Sequence, residues 1–464
     1  MENQDLTKGN IRKQLWSLSW PMMLSMFFYT LYNLVDTYWV SKLSDEAIAA
    51  VSISQISLFV MISLGFGITV GSGVVMAMQI GAKNKDEAER VLGQSFVLSA
   101  MMAVFFTGLS LLFKDVFLTA SGATGKIFEP ASEYFVIVSA GSILLFLMMA
   151  IMFAFNAQGD TTTLTKLFAF STLINLVLDP LLIFGYGPIP EMGISGAATA
   201  TLVSQFAFIV VAIRTLSKPD RSIQFRFENL NVKWESVKQV LNIGFPAALT
   251  QVIFPAGLGA LSYVTALTFK EPGAVAFSLG FRLEFFAYLP AAGFGFGAMA
   301  LMGQNMGAKN KERVREAFNK SILYTFLSAT GLGLAAAVFS GLIIGVFTDD
   351  ALVTEYASSY MWTVAFSYGF LSSLMVEANA FQSIGKSWPG FWIFLLRVLG
   401  ITIPLSYVLT VHYNLSIYAI WGAVIAGNIV SAVLGFFWIR GKLWKIDFPK
   451  TESSSTDEDA LITE

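Results

Sequence analysis

The sequence predicts an all-α membrane protein with about twelve transmembrane helices in two six-helix, pseudo-symmetric bundles. Three observations predict it: the apolar content, the positions of lysine and arginine, and an internal repeat. Of 464 residues, 55% are hydrophobic and only 13% charged, and the mean hydropathy is +0.66. Soluble chains average about 25% charged residues. Long apolar runs, such as 143–155 and 331–347, recur along the whole chain. They are too long and too evenly apolar for barrel strands, which alternate polar and apolar over about ten residues.

A helix needs about 20 apolar residues to cross the hydrocarbon core. Breaks at charges, glycine and proline give segments at 14–40, 48–78, 91–113, 131–156, 163–186, 194–216, 236–267, 274–305, 317–347, 356–383, 389–411 and 416–440. The first fifteen residues are polar and no small-residue cleavage site follows, so no cleaved signal peptide is read. Residues 446–464 are polar and read as a disordered tail.

Basic residues orient the spans. Of 29 lysines and arginines, 23 fall at one set of span ends, and only Lys42, Lys114, Lys126 and Lys270 at the other. Arg282 and Arg397 lie inside spans. This asymmetry places both termini in the cytoplasm and requires an even span count. Other classes are excluded by composition. A net charge of −2 gives no footprint for nucleic acid. Without cysteine, and with His412 as the one histidine, there is no disulfide, thiolate metal site or multi-histidine site.

The repeat shows in Gly81-Ala82-Lys83-Asn84-Lys85, which recurs 226 residues later as Gly307-Ala308-Lys309-Asn310-Lys311. The same offset pairs Gly67 with Gly293, Gly71 with Gly297, Phe155 with Phe381, Gly159 with Gly385 and Gly196 with Gly422. An offset of 225 pairs Pro21 with Pro246 and Leu24 with Leu249. The chain therefore divides into an amino-terminal lobe (1–216), a cytoplasmic linker (217–235) and a carboxyl-terminal lobe (236–445). Six spans per lobe make the lobes parallel, the plan of secondary transporters that place the substrate path between or within two halves.

Ionisable residues inside spans are functional candidates, because carboxylates in hydrocarbon cost a few kcal/mol on insertion scales. Asp36 lies about one turn from the outer end of the first span, with Tyr32 and Asn33 a turn before it. Asp179 lies in the fifth span, with Asn175 four residues earlier on the same helix face. If both helices face one lumen, these oxygens can hold Na⁺ or a shared proton. The bland alternative is a pair of interfacial acids bonded to tyrosine or backbone. At the repeat offsets Asp36 becomes Leu261, Asn175 becomes Ile401 and Asp179 becomes Leu405, so the acids belong to the first half alone. Pro21 loosens the first helix below Asp36, as a hinge or as a static kink. Glu284 and Glu377 in the second half read as a further polar locus or as structural groups, and Arg397 as structural. Met22, Met23, Met26, Met148, Met149 and Met152 suit either an adaptable cavity wall or ordinary packing. Gly385-Lys386-Ser387 lacks the earlier glycine of a phosphate loop, and Gly293-Phe294-Gly295-Phe296-Gly297 reads as helix packing.

Several segments carry a family resemblance. They are Trp20-Pro21, Asn33-Leu34-Val35-Asp36, the repeated glycine-alanine-lysine motif, Asn156-Ala157-Gln158-Gly159-Asp160, Asn175-Leu176-Val177-Leu178-Asp179-Pro180 and Gly193-Ile194-Ser195-Gly196-Ala197-Ala198. Together they resemble the multidrug and toxic compound extrusion (MATE) transporters over essentially the whole chain. The likeness is greatest to a prokaryotic branch related to DNA-damage-inducible transporters. It implies efflux of organic, often cationic compounds, exchanged for H⁺ or Na⁺ by alternating access. Residue by residue, it implies a cation site at Asp36, Asn175, Asp179 and Thr199, with Thr201 as the alternative threonine. It implies a substrate cavity with Tyr32, Asn33 and Tyr134, and a bending proline at Pro21. Another branch has a carboxylate early in the seventh span, where this chain has Phe254 after Gly244-Phe245-Pro246. The expected partners are small-molecule drugs, organic cations and membrane lipids. No nucleic acid and no cofactor beyond the coupling ion are expected, and the chain is expected to act as a plasma-membrane monomer. The nearest rival is a flippase for lipid-linked or polyprenyl substrates, which would need several cavity cations. No catalytic constellation for an enzyme appears.

Overall fold

The computed structural model describes residues 5–445, without the side chains of 57, 60, 61, 64, 283 and 285–287. Calls on residues 446–464, including the disordered tail, lie outside the described residues. The first half contains α1 (Ile11–Val40), α2 (Asp45–Gly81), α3 (Lys85–Leu112), α4 (Lys114–Ala120), α5 (Phe128–Ala140), α6 (Ser142–Ala157), α7 (Thr161–Ile183) and α8 (Gly193–Leu216). The second contains α9 (Trp234–Gly307), α10 (Lys311–Val338), α11 (Ser340–Ile344), α12 (Ala351–Val364), α13 (Tyr368–Ser383), α14 (Trp388–Leu395), α15 (Ile403–Tyr407) and α16 (Tyr418–Trp444). Seven helices are long and apolar enough to cross a membrane among the described residues, and the bent pair α5–α6 makes an eighth. Apolar side chains such as Val104, Leu112 and Leu342 face outward, as a lipid belt requires.

Several expected spans are not simple rods. The fourth bends by 50° at Gly141, between α5 and α6. The seventh and eighth run together as α9, interrupted only at Lys270 (φ 56°). The eleventh contains two stretches of π-helix, Leu396–Thr402 and Val408–His412, flanking α15.

The repeated motif is a helix corner built twice. Lys83 and Lys309 both take φ 58°, closing α2 and α9, and Asn84 and Asn310 then accept from the backbone N–H groups of Glu87 and Arg313 to cap the next helix. Its glycine has a different cause. A Cβ on Gly81 would lie 1.8 Å from the Gln304 carbonyl oxygen, and one on Gly307 1.8 Å from that of Met78. The two halves thus touch backbone to backbone at this corner, which admits no side chain.

We call the face carrying both described ends the terminal face and the opposite one the distal face. At the terminal face the halves close on each other. Gln304 donates to the Ala157 carbonyl at 2.7 Å, and Asn156 to that of Phe296 at 3.2 Å. Each half also holds a strand of chain leading into the other. Arg313 of α10 donates to the carbonyls of Leu6, Lys8 and Gly9 and to Gln14, ahead of and within the start of α1. Glu87 of α3 accepts from Ser236 at the start of α9, and Glu89 accepts from the Gln224 amide of the linker. Arg221 of the linker pairs with Asp160, the N-cap of α7.

Candidate functional site

Helices α1, α5, α7 and α8 converge near the distal end of the first half. Asp36 and Asp179 are both buried, 3% and 0% exposed, and lie within electrostatic reach of each other. Asn175 donates its amide to Asp179 Oδ1 at 2.9 Å, across one turn of α7. Pro180 follows and has no N–H to return to the helix. Tyr134 of α5 is buried beside both acids, and Tyr32 stands a turn below Asp36 on α1. Among the described residues Asp36 Oδ1, Asn175 Oδ1 and Asp179 Oδ2 are enclosed without a hydrogen-bond partner, and the Tyr32 hydroxyl and Thr201 Oγ1 lie against each other nearby. Buried polar atoms normally have a partner, and unpaired carboxylates away from water are costly. Oxygens of this kind suit a hard cation or a carboxyl that takes up a proton.

The structure separates the two threonines. Thr199 is half-buried and donates to its own helix at Ser195, 2.7 Å away, whereas Thr201 is buried against the Tyr32 hydroxyl. The structure thus brings Thr201, the alternative threonine, beside Tyr32 rather than Thr199. Two helical steps turn the side chain by about 160–200°, and no local sequence signal separates these neighbours in an apolar helix. Asn33 spends its amide on the Tyr29 carbonyl at 2.8 Å. At Pro21 the backbone carbonyl accepts from Thr165 of α7 at 2.6 Å and from Ser25 at 2.9 Å, so the flexible turn of α1 is tied to the helix that carries Asp179. Met22, Met148 and Met152 sit in the hydrophobic core, which favours their packing role.

In the second half Arg282 is exposed while Glu284 is buried, so of the two arginines inside spans only Arg397 is buried. Tyr360 donates to Glu284 at 2.6 Å, and Arg397 to Asn428 at 2.7 Å. Glu377 is buried against Gly435, with Oε2 unpartnered. The sequence reading treated these residues singly, and the grouping of Glu284, Tyr360 and Arg397 was missed. The pairing of Tyr134 with Tyr360 at the 226-residue offset was the available signal. Among the described residues no group of three or more His, Cys, Asp or Glu could hold a metal ion.

Two parallel six-span halves and a buried, one-sided acid site define a multi-pass membrane transporter, with no catalytic machinery of an enzyme. The MatE family model matches residues 21–181 and again 246–408, once in each half, and the chain belongs to that family of multidrug and toxic compound extrusion transporters. It is 26% identical to the probable multidrug resistance protein NorM of Thermotoga maritima, covering 93% of each chain. It is also 26% identical to an FAD transporter of Shewanella oneidensis, covering 87% of this chain and 89% of the other. Among solved structures it superposes with a TM-score of 0.89 and 27% identity on an outward-facing multidrug resistance MATE transporter of the MOP superfamily, covering 96% and 98% of the two chains.

Proposed function

We propose that this chain exports organic, often cationic small molecules from the cytoplasm across the plasma membrane, in exchange for inward H⁺ or Na⁺ bound in the amino-terminal lobe. The observation that carries the reading is the pair of buried acids, Asp36 and Asp179, each with an oxygen that has no partner among the described residues, beside the equally unpartnered Asn175 Oδ1. The names of the multidrug relatives support the substrate class. The excess of basic residues at the terminal face supports a cytoplasmic position for that face.

With the terminal face closed, the site is reached from outside. A cation or proton arriving there satisfies the unpaired carboxylates. The tie between Pro21 and Thr165 carries the change along α1, the one helix that joins the acid site to the contact with α9 at Ser19 and Met23. A ligand shifts two states only by its differential affinity for them, so ion and drug must compete through this lobe. The protein works as a monomer, with the surrounding lipids as its solvent.

The test is reconstitution in liposomes with a fluorescent organic cation, first under an imposed Na⁺ gradient and then under a pH gradient. Asp36→Asn is expected to fold and to reduce gradient-driven movement to the rate of protein-free vesicles. Coupled transport at the wild-type rate by that variant would refute the assignment.

A further inference from the structure

We propose that the carboxyl-terminal half holds a second ligand subsite, which binds the carboxylate group of an organic substrate between Arg397 and Thr402. This inference rests on the export reading above and extends it to acid-bearing substrates.

The subsite occupies the place that the repeat assigns to the acid site of the first half. A cavity of ≈ 40 Å³ is lined by Gly257, Leu261 and Tyr360, among others. Those three are the repeat counterparts of Tyr32, Asp36 and Tyr134. The first half puts an acid at this place. The second puts Leu261 there and brings a guanidinium in from the neighbouring helix, for Arg397 lines the same cavity.

Arg397 is only 9% exposed, yet no carboxylate oxygen lies within 4.0 Å of its guanidinium among the described residues. Its Nε is spent on Asn428 Oδ1, and Asn428 in turn donates to Ser367 at 2.9 Å. That chain fixes the plane of the guanidinium and leaves its terminal nitrogens for the cavity. Thr402, also lining the cavity, has a buried hydroxyl with no partner. Arg397 and Thr402 are five residues apart. In an α-helix that spacing separates two side chains by about 140°. The π-helix Leu396–Thr402, with its wider turn, brings them towards one face.

Glu284 compensates this guanidinium only through space, from beyond ion-pair distance across the same cavity. A guanidinium out of water without a hydrogen-bonded anion is costly, and a carboxylate matches its fork with two parallel hydrogen bonds. The size limits the guest. A water needs about 10–15 Å³ of such space, so ≈ 40 Å³ admits a carboxylate-sized group and not a whole drug. Phe254, Phe277 and Phe281 give the body of an aromatic acid apolar walls. Glu284 lines the cavity as well, held by Tyr360 at 2.6 Å, and its charge opposes the guest.

The test compares two dyes that differ at one group: rhodamine 110, with a free carboxylate, and rhodamine 123, its methyl ester. Binding is read by fluorescence polarisation on the full chain in nanodiscs. The wild type is expected to bind the acid about tenfold or more tighter than the ester. Arg397→Gln is expected to erase the preference by weakening acid binding to the level of the ester, and thermal unfolding followed by tryptophan fluorescence reports that the variant is folded. Arg397→Lys should keep part of the preference. Glu284→Gln should strengthen acid binding several-fold and leave the ester alone. Equal binding of both dyes by the wild type, or a preference that survives Arg397→Gln, would overturn the subsite and leave the export reading standing on the ester. Failure of both dyes to bind the wild type would overturn both readings.

Discussion

One turn from the distal end of its first long helix, the amino-terminal half carries Asp36. At the equivalent place the carboxyl-terminal half carries Leu261, and Gly257 replaces Tyr32 one turn away. Tyr134 and Tyr360 are the constants, both buried. Tyr134 sits beside two acids, whereas Tyr360 hydrogen-bonds one acid in a cavity that also holds an arginine. The corners that close the terminal face are instead nearly identical in sequence and geometry, down to the φ of 58° at Lys83 and Lys309. The difference teaches where the repeat is constrained. Contacts between halves need matched backbones, so glycine and corner chemistry recur. The two polar loci lie inside their own halves rather than against each other, so their chemistry is free to diverge.

This comparison breaks first at the corners. Gly81→Ala and Gly307→Ala each force a methyl group to within 1.8 Å of a carbonyl oxygen of the other half. Overpacking of this kind costs about 1–3 kcal/mol, which moves a two-state balance by roughly five- to 150-fold. The chain has no cysteine, so spin labels at Asp86→Cys and Glu312→Cys, two exposed counterparts, report the closure cleanly. Both glycine variants should give a longer, broader distance, by similar amounts. A large effect from one and none from the other would mean that the two corners are not equivalent.

Much of this scaffold was legible in the sequence. Hydrocarbon demands long apolar segments and satisfied backbones, and the repeat exposes the duplication, so span count and halves follow from patterning. The acids at Asp36 and Asp179 were legible for the same reason: polar groups stand out in an apolar segment. What was not legible depends on angles that patterning does not contain. The bend at Gly141 leaves no mark in hydropathy, and Lys270-Glu271-Pro272-Gly273 marks a break between spans without showing that a single residue, Lys270, makes the turn. Thr201 and Thr199 differ only in the direction they face. Arg397 and Thr402 share a face only because the helix widens locally. Arg282 sat in an apolar segment and is nevertheless exposed.

Thr201 offers a finer test of the first cavity. Thr201→Val removes the hydroxyl that lies against Tyr32 without changing the shape of the side chain. Sodium needs several oxygens, whereas a proton needs only a carboxylate. Activation of transport by Na⁺ should therefore weaken about tenfold, with proton-driven transport unchanged. Thr199→Val should alter neither, because that hydroxyl serves only Ser195. Measured in the same liposomes, an effect at Thr199 and none at Thr201 would return the sixth-span ligand to Thr199.

The smallest expected effect lies at the corner where the halves diverge most. Asp160 caps α7 and pairs with Arg221, while its counterpart Lys386 is exposed and α14 has no side-chain cap. Burial opposes ionisation of Asp160, but the hydrogen bonds from Arg221 and Thr163 outweigh it and hold the carboxyl below its ordinary value. A carboxyl lowered on folding contributes stability that is present above its unfolded value, about 3.9, and is lost as pH falls through the folded one. Asp160→Asn keeps the cap and loses the ion pair, so at pH 7 it should cost no more than about 1 kcal/mol. Lys386→Met, at the equivalent place, should cost nothing measurable. In thermal unfolding followed by tryptophan fluorescence, the gap between wild type and Asp160→Asn should shrink as pH falls below about 4. A gap of the same size at both pH values would mean that the variant acts through the linker's packing and not through charge.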